Sequence, residues 1–522
     1  MTEQPMNGAE SLVRALHGAG VEMCFANPGT SEMQFVDALG RTGLIRCVLG
    51  LAETVVAGAA DGYARMTRKP AVTLLHLAPG FANAAANIHN ARKARTPMVN
   101  LVGDHASRHL AYDAPLTADL DAAVAPFSDW VRRARSAAEI AHDGVAAVAA
   151  AAGRPGRIAT LIAPGEAGWD PVPADFRPPA PVAPAGPRAV EDAAVARAAQ
   201  MLDARAPAAI IAGGAVLEDP EAMALLRAAA DKAGALFLAP GANRRIEHGA
   251  GRCAPRRIPY PVDQALALLR DVRRAVLIEA APPVAFFAYP GKPSLILPPE
   301  CEVLTLADFD QDGPAAARML AERMGVRPAA PPRRRTPDAP AGGFISPDTL
   351  PAAIAAALPE NAVVVDESIT SGRKIFEGCA HAAPCSWLAI TGGAIGIGPP
   401  LATGAALGAP DRPVVALQAD GSAMYSIQAL WTQAREGLNV TTVIFANRAY
   451  RILKGELMNV GANPGPQALN MLELDRPELG FVEIARGMGV PGRRVEDCAA
   501  LTRAIADATR EPGPFVIEAF MP

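Results

Sequence analysis

Short apolar runs followed by alanine-rich stretches of helical spacing recur along the chain. At 414–417 (VVAL) an unbroken apolar run stops at Asp420-Gly421-Ser422 and passes into a helix-like segment, 423–436, that Gly437 closes. A second run, 440–445, delivers Asn447 to a turn. Runs this short and apolar predict strands buried on both faces, and the helical stretch between them predicts a parallel connection. Both loops then open at the same sheet edge, where Asp420 and Asn447 can face one small object.

The same alternation predicts strands at 21–25, 47–51, 71–75 and 98–102, with helices at 9–18, 54–68 and 83–94 and a loop over 75–83. Further strands are expected at 208–211, 235–238, 275–278 and 303–306. Proline-rich stretches at 170–187 and 327–343 are too poor in apolar periodicity to lie inside domains and read as extended linkers. The expected architecture is α/β, with three doubly wound parallel-sheet domains at 1–170, 188–326 and 344–522, linked by 171–187 and 327–343.

Composition narrows the function. The chain has 522 residues, half of them hydrophobic, and a net charge of −4, which supports large cores and favours neither nucleic acid nor an anionic membrane. With no signal core and no run of membrane-spanning length, a cytoplasmic protein is expected. The seven cysteines are dispersed without a CxxC pair and read as reduced thiols. Cys379 and Cys385, with His381 between them, fit no common zinc spacing.

Either Asp420 or Asn447 alone would read as a turn or capping residue. Together they favour a divalent metal bridging to phosphate, because Mg²⁺ takes hard oxygen ligands and is usually held by one or two protein groups plus phosphates. The helix start at Ser422 adds backbone donors for the phosphates. Glu53 stands between a strand and a helix that is poor in polar residues, and His76 stands at a strand's carboxyl end, where ligand-facing residues collect. Gly58, Ala59, Ala60 and Gly62 predict close helix packing, with a subunit interface as its natural place.

The 414–452 segment resembles the thiamine-diphosphate signature of the acetolactate synthase, pyruvate decarboxylase and benzoylformate decarboxylase superfamily, Gly-Asp-Gly followed after a helix by Asn-Asn. Here the motif is Ala419-Asp420-Gly421 and Ala446-Asn447, so the first glycine and the first asparagine are both alanine. The resemblance implies Mg²⁺ held by Asp420, Asn447 and the carbonyl of Ala449, with Gly421, Ser422 and Tyr425 also at the cofactor and Thr370 and Ser371 at its diphosphate. It makes Glu53 the glutamate that hydrogen-bonds the aminopyrimidine ring. Gly393 would supply a backbone carbonyl that accepts from that ring, and Ile395 the apolar wedge beneath the cofactor. His76 and Thr30 fall where benzoylformate decarboxylase-like enzymes carry a substrate-facing histidine and serine.

In acetolactate synthases the equivalent of the middle domain binds FAD; this chain shows no GxGxxG and no sequence warrant for FAD. Its loop 280–291 carries Phe286 and Phe287 where benzoylformate decarboxylases have a second histidine, and Ile452 and Glu456 are further pocket candidates. The family places Glu53 and the metal site on different subunits, which implies a homodimer and often a tetramer. A 2-oxo acid decarboxylase with carboligase side activity is the first reading. Acetolactate synthase is second, because the Gln-Trp-Gln stretch is missing. A 2-hydroxyacyl-CoA lyase is third, since no basic tail follows Pro522, and an inactive cofactor-binding partner subunit is the remaining alternative.

Overall fold

The computed structural model describes residues 5–204, 206–335 and 338–522. The first domain holds strands β1 (Met23–Ala26), β2 (Arg46–Leu49), β3 (Ala71–His76), β4 (Met98–Asp104), β5 (Trp130–Arg133) and β6 (Ile158–Pro164). They form a parallel sheet in the order β2-β1-β3-β4-β6-β5. Strands β4 and β6 are buried along their whole length, as expected for central strands covered by helices on both faces.

The middle domain contributes β7 (Ala208–Ala212), β8 (Leu236–Ala239), β9 (Ile246–His248), β10 (Arg256–Arg257), β11 (Arg274–Ile278) and β12 (Glu302–Ala307). Its sheet has five parallel strands, β10-β8-β7-β11-β12. Strand β9 leaves it. In the third domain, β13 (Ala362–Glu367), β14 (Cys385–Ala389), β15 (Val414–Ala419), β16 (Val440–Ala446), β17 (Gly492–Val495) and β18 (Phe515–Phe520) form a sheet in the order β17-β18-β16-β15-β13-β14, and β9 completes its far edge antiparallel to β14. The third sheet is therefore parallel except at one edge, which the middle domain supplies.

Two local expectations are corrected. The helix expected over 423–436 is broken: Asp420–Ala423 makes one turn, and the regular helix is Ala429–Glu436, ending at left-handed Gly437. The intervening turn sends Ser426 Oγ to the carbonyl of Gly396 at 2.6 Å, a tertiary bond that periodicity does not register. The loop expected over 75–83 is helical from Leu77, because Pro79 falls in the first turn of helix Leu77–Ala94, where proline costs no hydrogen bond.

The close packing expected of Glu53–Thr67 is met within the chain, by helix Gly398–Gly408. A Cβ on Gly62 would sit 2.1 Å from the Leu401 carbonyl, and one on Gly404 would sit 1.8 Å from that of Ala59, so the helix backbones touch. Beside this contact lies a fully buried ion pair, Arg65 to Asp61 at 2.6 Å. Thr96 donates to Asp61 at 2.7 Å, and Arg65 also donates to the Ala389 carbonyl at 2.7 Å, a bond that ties the first domain to the third. Breaking such a pair by removing one partner costs about 3–5 kcal/mol.

The stretch 171–187 runs almost without regular structure, and so do the described residues of 327–343; Thr336 and Pro337 lie outside the described residues. Among the described residues no helix is long and apolar enough to cross a membrane.

Candidate active site

Parallel pairing sets Ala419 opposite Phe445, so Asp420 and Asn447 leave the ends of β15 and β16 side by side. Asp420 is buried; its Oδ1 accepts from its neighbour Gly421 N–H at 2.8 Å and its Oδ2 from Arg448 N–H at 2.6 Å. Burial pushes its carboxyl pKa up, against the pull of these backbone donors. Asn447 Oδ1 accepts from Ala449 N–H at 3.1 Å, and its Nδ2 donates to Ser371 Oγ at 3.1 Å, with Thr370 half-buried alongside. Gly421 lies under Tyr450, where a Cβ would come within 2.5 Å of the ring. Ser422 directs its hydroxyl inward, donating to the Ala419 carbonyl at 3.1 Å and accepting from Gln418 Nε2 at 2.5 Å.

Among the described residues no group of three His, Cys, Asp or Glu side chains could hold a metal by itself. One carboxylate and one amide oxygen at a buried sheet edge fit a hard divalent cation that takes its remaining ligands from a bound diphosphate.

Beside this pair runs loop 391–398, with Gly393 at φ +77° and Gly396 at φ +95°. It is braced from two sides. Glu367, wholly buried at the end of β13, accepts from Gly396 N–H at 2.6 Å, Gly398 N–H at 2.7 Å and Gln418 Nε2 at 3.0 Å. From the first domain, Asn90 accepts from Gly392 N–H at 3.0 Å and donates to the Ala394 carbonyl at 2.7 Å, while Thr391 donates to the Asn90 carbonyl at 2.6 Å. Half-buried Ile395 sits at the centre of the loop. Half-exposed Tyr425 packs against Gly396, and Phe286 lies over Gly393, where a Cβ would meet its ring at 2.6 Å. Phe287 and Tyr260 continue this wall, with ring centroids 4.9 and 5.2 Å from that of Phe286. Tyr260 donates to Glu456 Oε1 at 3.1 Å, on the same helix, Arg451–Asn459, as Ile452.

The first domain carries the other group. Glu53 opens its helix nearly buried and accepts from Asn83 Nδ2 at 3.1 Å. Gly80 separates it from His76, since a Cβ there would lie 3.2 Å from Glu53 Oε1 and 3.3 Å from His76 Cβ. His76 Nδ1 lies 2.9 Å from Glu32 Oε2 and 3.1 Å from Ser31 Oγ. A proton on Nδ1 satisfies both contacts and leaves Nε2 as the free nitrogen; this tautomer is assigned from the hydrogen-bond pattern.

Thr30 is exposed at the start of the short 3₁₀ turn Thr30–Glu32, and the hydroxyl that lies against His76 is that of its neighbour Ser31. Glu32 is fully buried and folds back to accept from Gly29 N–H at 2.9 Å. Sequence reading missed Ser31, Glu32, Asn83, Asn90 and Glu367. The Gly29 to Glu32 spacing of a capping box and the asparagines inside an alanine-rich helix were the available signals. Among the described residues no hydrogen bond joins Glu53 or His76 to Asp420 or Asn447.

Three α/β domains, a metal-suited pair at one sheet edge and a glutamate–histidine group at another define a cofactor-dependent enzyme assembled across domains. The N-terminal thiamine pyrophosphate-binding domain of thiamine pyrophosphate enzymes matches residues 6–124, and the C-terminal one matches 377–519. The chain belongs to this family of thiamine-pyrophosphate-dependent enzymes, in the group that holds acetolactate synthase-like proteins and benzoylformate decarboxylases. It is 46% identical over 521 residues, 99% of each chain, to the acetolactate synthase large subunit-like protein IlvX of Mycobacterium tuberculosis. It is 28% identical to the benzoylformate decarboxylase of Pseudomonas aeruginosa, over 96% of each chain. The fold matches that of a thiamine diphosphate-dependent 4-hydroxybenzoylformate decarboxylase from Rhodococcus jostii, with TM-score 0.83, 24% identity and 99% of both chains covered.

Proposed function

We propose that this enzyme decarboxylates a 2-oxo acid to an aldehyde in the cytoplasm, with carboligation as a side activity. The observation that carries the reading is the Glu32–His76 pair beside Glu53, an oriented base next to a buried carboxylate. Bound thiamine diphosphate supplies the carbon nucleophile and the electron sink for the departing carboxylate.

The chain does the rest. Asp420, Asn447 and the Ala449 carbonyl hold Mg²⁺, and Ser371, Thr370 and the backbone at Gly421 and Ser422 face the diphosphate. Gly393 and Ile395 seat the ring system, with Tyr425 alongside. Glu53 holds a proton on the aminopyrimidine. His76, oriented through Nδ1 by Glu32 and Ser31, exchanges a proton at Nε2 with the substrate oxygen or the product carbon, and exposed Thr30 beside this group offers a hydroxyl to the substrate. The aromatic wall of Phe286, Phe287 and Tyr260, with Ile452 and Glu456 at its rim, gives the pocket an apolar side, and an apolar site favours loss of a charged carboxylate. The family resemblance supports a homodimer as the working unit, one subunit's Glu53 serving the other's metal site, with a homotetramer as its expected assembly.

Condensation of two 2-oxo acids is the second reading, and the likeness to IlvX favours it. Offering pyruvate, longer aliphatic 2-oxo acids and benzoylformate separately decides between them: aldehyde supports the first reading and acetolactate the second. Glu53→Gln is expected to lower kcat by about 100-fold or more while cofactor binding persists. Turnover at the wild-type rate would sink the assignment.

A further inference from the structure

Strands β7 and β11 lie side by side at the centre of the middle sheet, with β8 flanking one and β12 the other. The chain reverses its direction of travel between them, and open parallel sheets bind nucleotides in the crevice such a reversal leaves at the strands' carboxyl ends. The parts of a phosphate seat are present. Gly213 and Gly214 follow β7, with Gly214 at φ +53°, and the 12-residue helix Gly313–Met324 begins beside them. Arg154 reaches in from the first domain.

The seat is already filled. Glu279, directly after β11, adopts a left-handed φ of +47° and turns its carboxylate into the crevice, where the residue is 3% exposed. It accepts from the N–H of Ala215 and, at 3.2 Å, from that of Gly313, the first residue of the helix. Arg154 Nη2 stands 3.6 Å from Oε1. The glycines leave no spare volume, since a Cβ on Gly214 would fall 1.9 Å from Glu279 Oε2 and one on Gly213 would fall 2.4 Å from the Glu279 carbonyl oxygen. Backbone donors at a helix start, backed by an arginine, are the groups that would otherwise grip a diphosphate.

We propose that Glu279 is a built-in occupant of the middle domain's phosphate seat, so that this domain is closed to FAD and to other nucleotide diphosphates. The side chain does what a ligand anion does in an open domain: it accepts from the first N–H of the helix, pairs with Arg154 and joins β11 to the loop after β7. A diphosphate entering the seat would have to expel a carboxylate of its own sign from two donors. The residues present therefore do not fit the flavin that acetolactate synthases carry in this domain.

The test uses the full chain saturated with thiamine diphosphate and Mg²⁺, so that the catalytic site is blocked, and titrates FAD and inorganic pyrophosphate calorimetrically. Wild type and Glu279→Gln, which keeps the shape and an acceptor oxygen, are expected to show no saturable binding up to about 1 mM. Glu279→Gly suits the left-handed backbone and removes the carboxylate; it is expected to bind pyrophosphate at least about 10-fold more tightly than wild type. Saturable binding of FAD by wild type overturns the proposal whether or not the glycine variant folds. So does a folded Glu279→Gly, judged by its circular dichroism, that gains no affinity for pyrophosphate.

Discussion

The carboxyl edges of the third and middle sheets are built from the same parts: parallel strands, a glycine loop, a helix start and one acidic residue directly after a central strand. In the third sheet that residue is Asp420, whose short, buried side chain is held by the N–H groups of Gly421 and Arg448 and lies beside the Asn447 amide. In the middle sheet it is Glu279, one methylene longer, which folds inward and takes the helix-start donors for itself. The sheet supplies an anion-binding crevice in both places. Whether the crevice is offered to a ligand depends on the reach and direction of one side chain.

The comparison breaks most visibly at Asp420. Asp420→Ala is expected to weaken Mg²⁺-dependent binding of thiamine diphosphate by about 100-fold, since even outer-shell changes at metal sites cost 10–100-fold. Calorimetry that returned wild-type affinity would mean that this carboxylate is as closed to ligands as that of Glu279.

A smaller effect is expected where the two regions join. His248, on β9, is buried against Phe376 and hydrogen-bonds its carbonyl through Nε2 at 2.6 Å. Burial holds its pKa down at about 4, and Arg257, which stacks on Phe376, acts in the same direction. The folded chain thus keeps His248 neutral, while the unfolded chain takes up a proton below about pH 6.5. Its contribution to stability is complete above that pH and is lost as pH falls toward 4, amounting to about 2 kcal/mol at pH 5. Urea denaturation at pH 7.5 and 5.0 should show that extra loss in wild type and not in His248→Gln; parallel losses would count against it.

The smallest effect belongs to Asn90. Asn90→Ala leaves Gly392 N–H and the Ala394 carbonyl without their partner, which costs about 1–3 kcal/mol of local order and should lower cofactor affinity about 10-fold. An unchanged KM for thiamine diphosphate would show that Glu367 alone holds the loop.

What could be read from the sequence was local. Asp420, Asn447 and Glu53 sit in loops whose flanking strands and helices announce themselves by apolar runs, so their position at a sheet edge followed from pattern. The small-residue helix showed that something packs closely on it but carried no sign of which chain that was; only the fold brings Gly62 onto Leu401. Ser31 against His76, Asn90 against loop 391–398 and Glu279 across its crevice are meetings of single side chains over long stretches of sequence. No periodicity encodes them.

Strand β9 has a practical consequence for anyone dividing this protein into pieces. It is the strip of middle-domain chain that covers β14, whose Cys385 and Trp387 are buried beneath helices and neighbours. A fragment begun after the second proline-rich stretch would keep every cofactor-facing residue of the third domain and still present a bare strand with unpaired backbone, ready to stitch to the next copy. The seam visible in the sequence is not where the fabric can be cut.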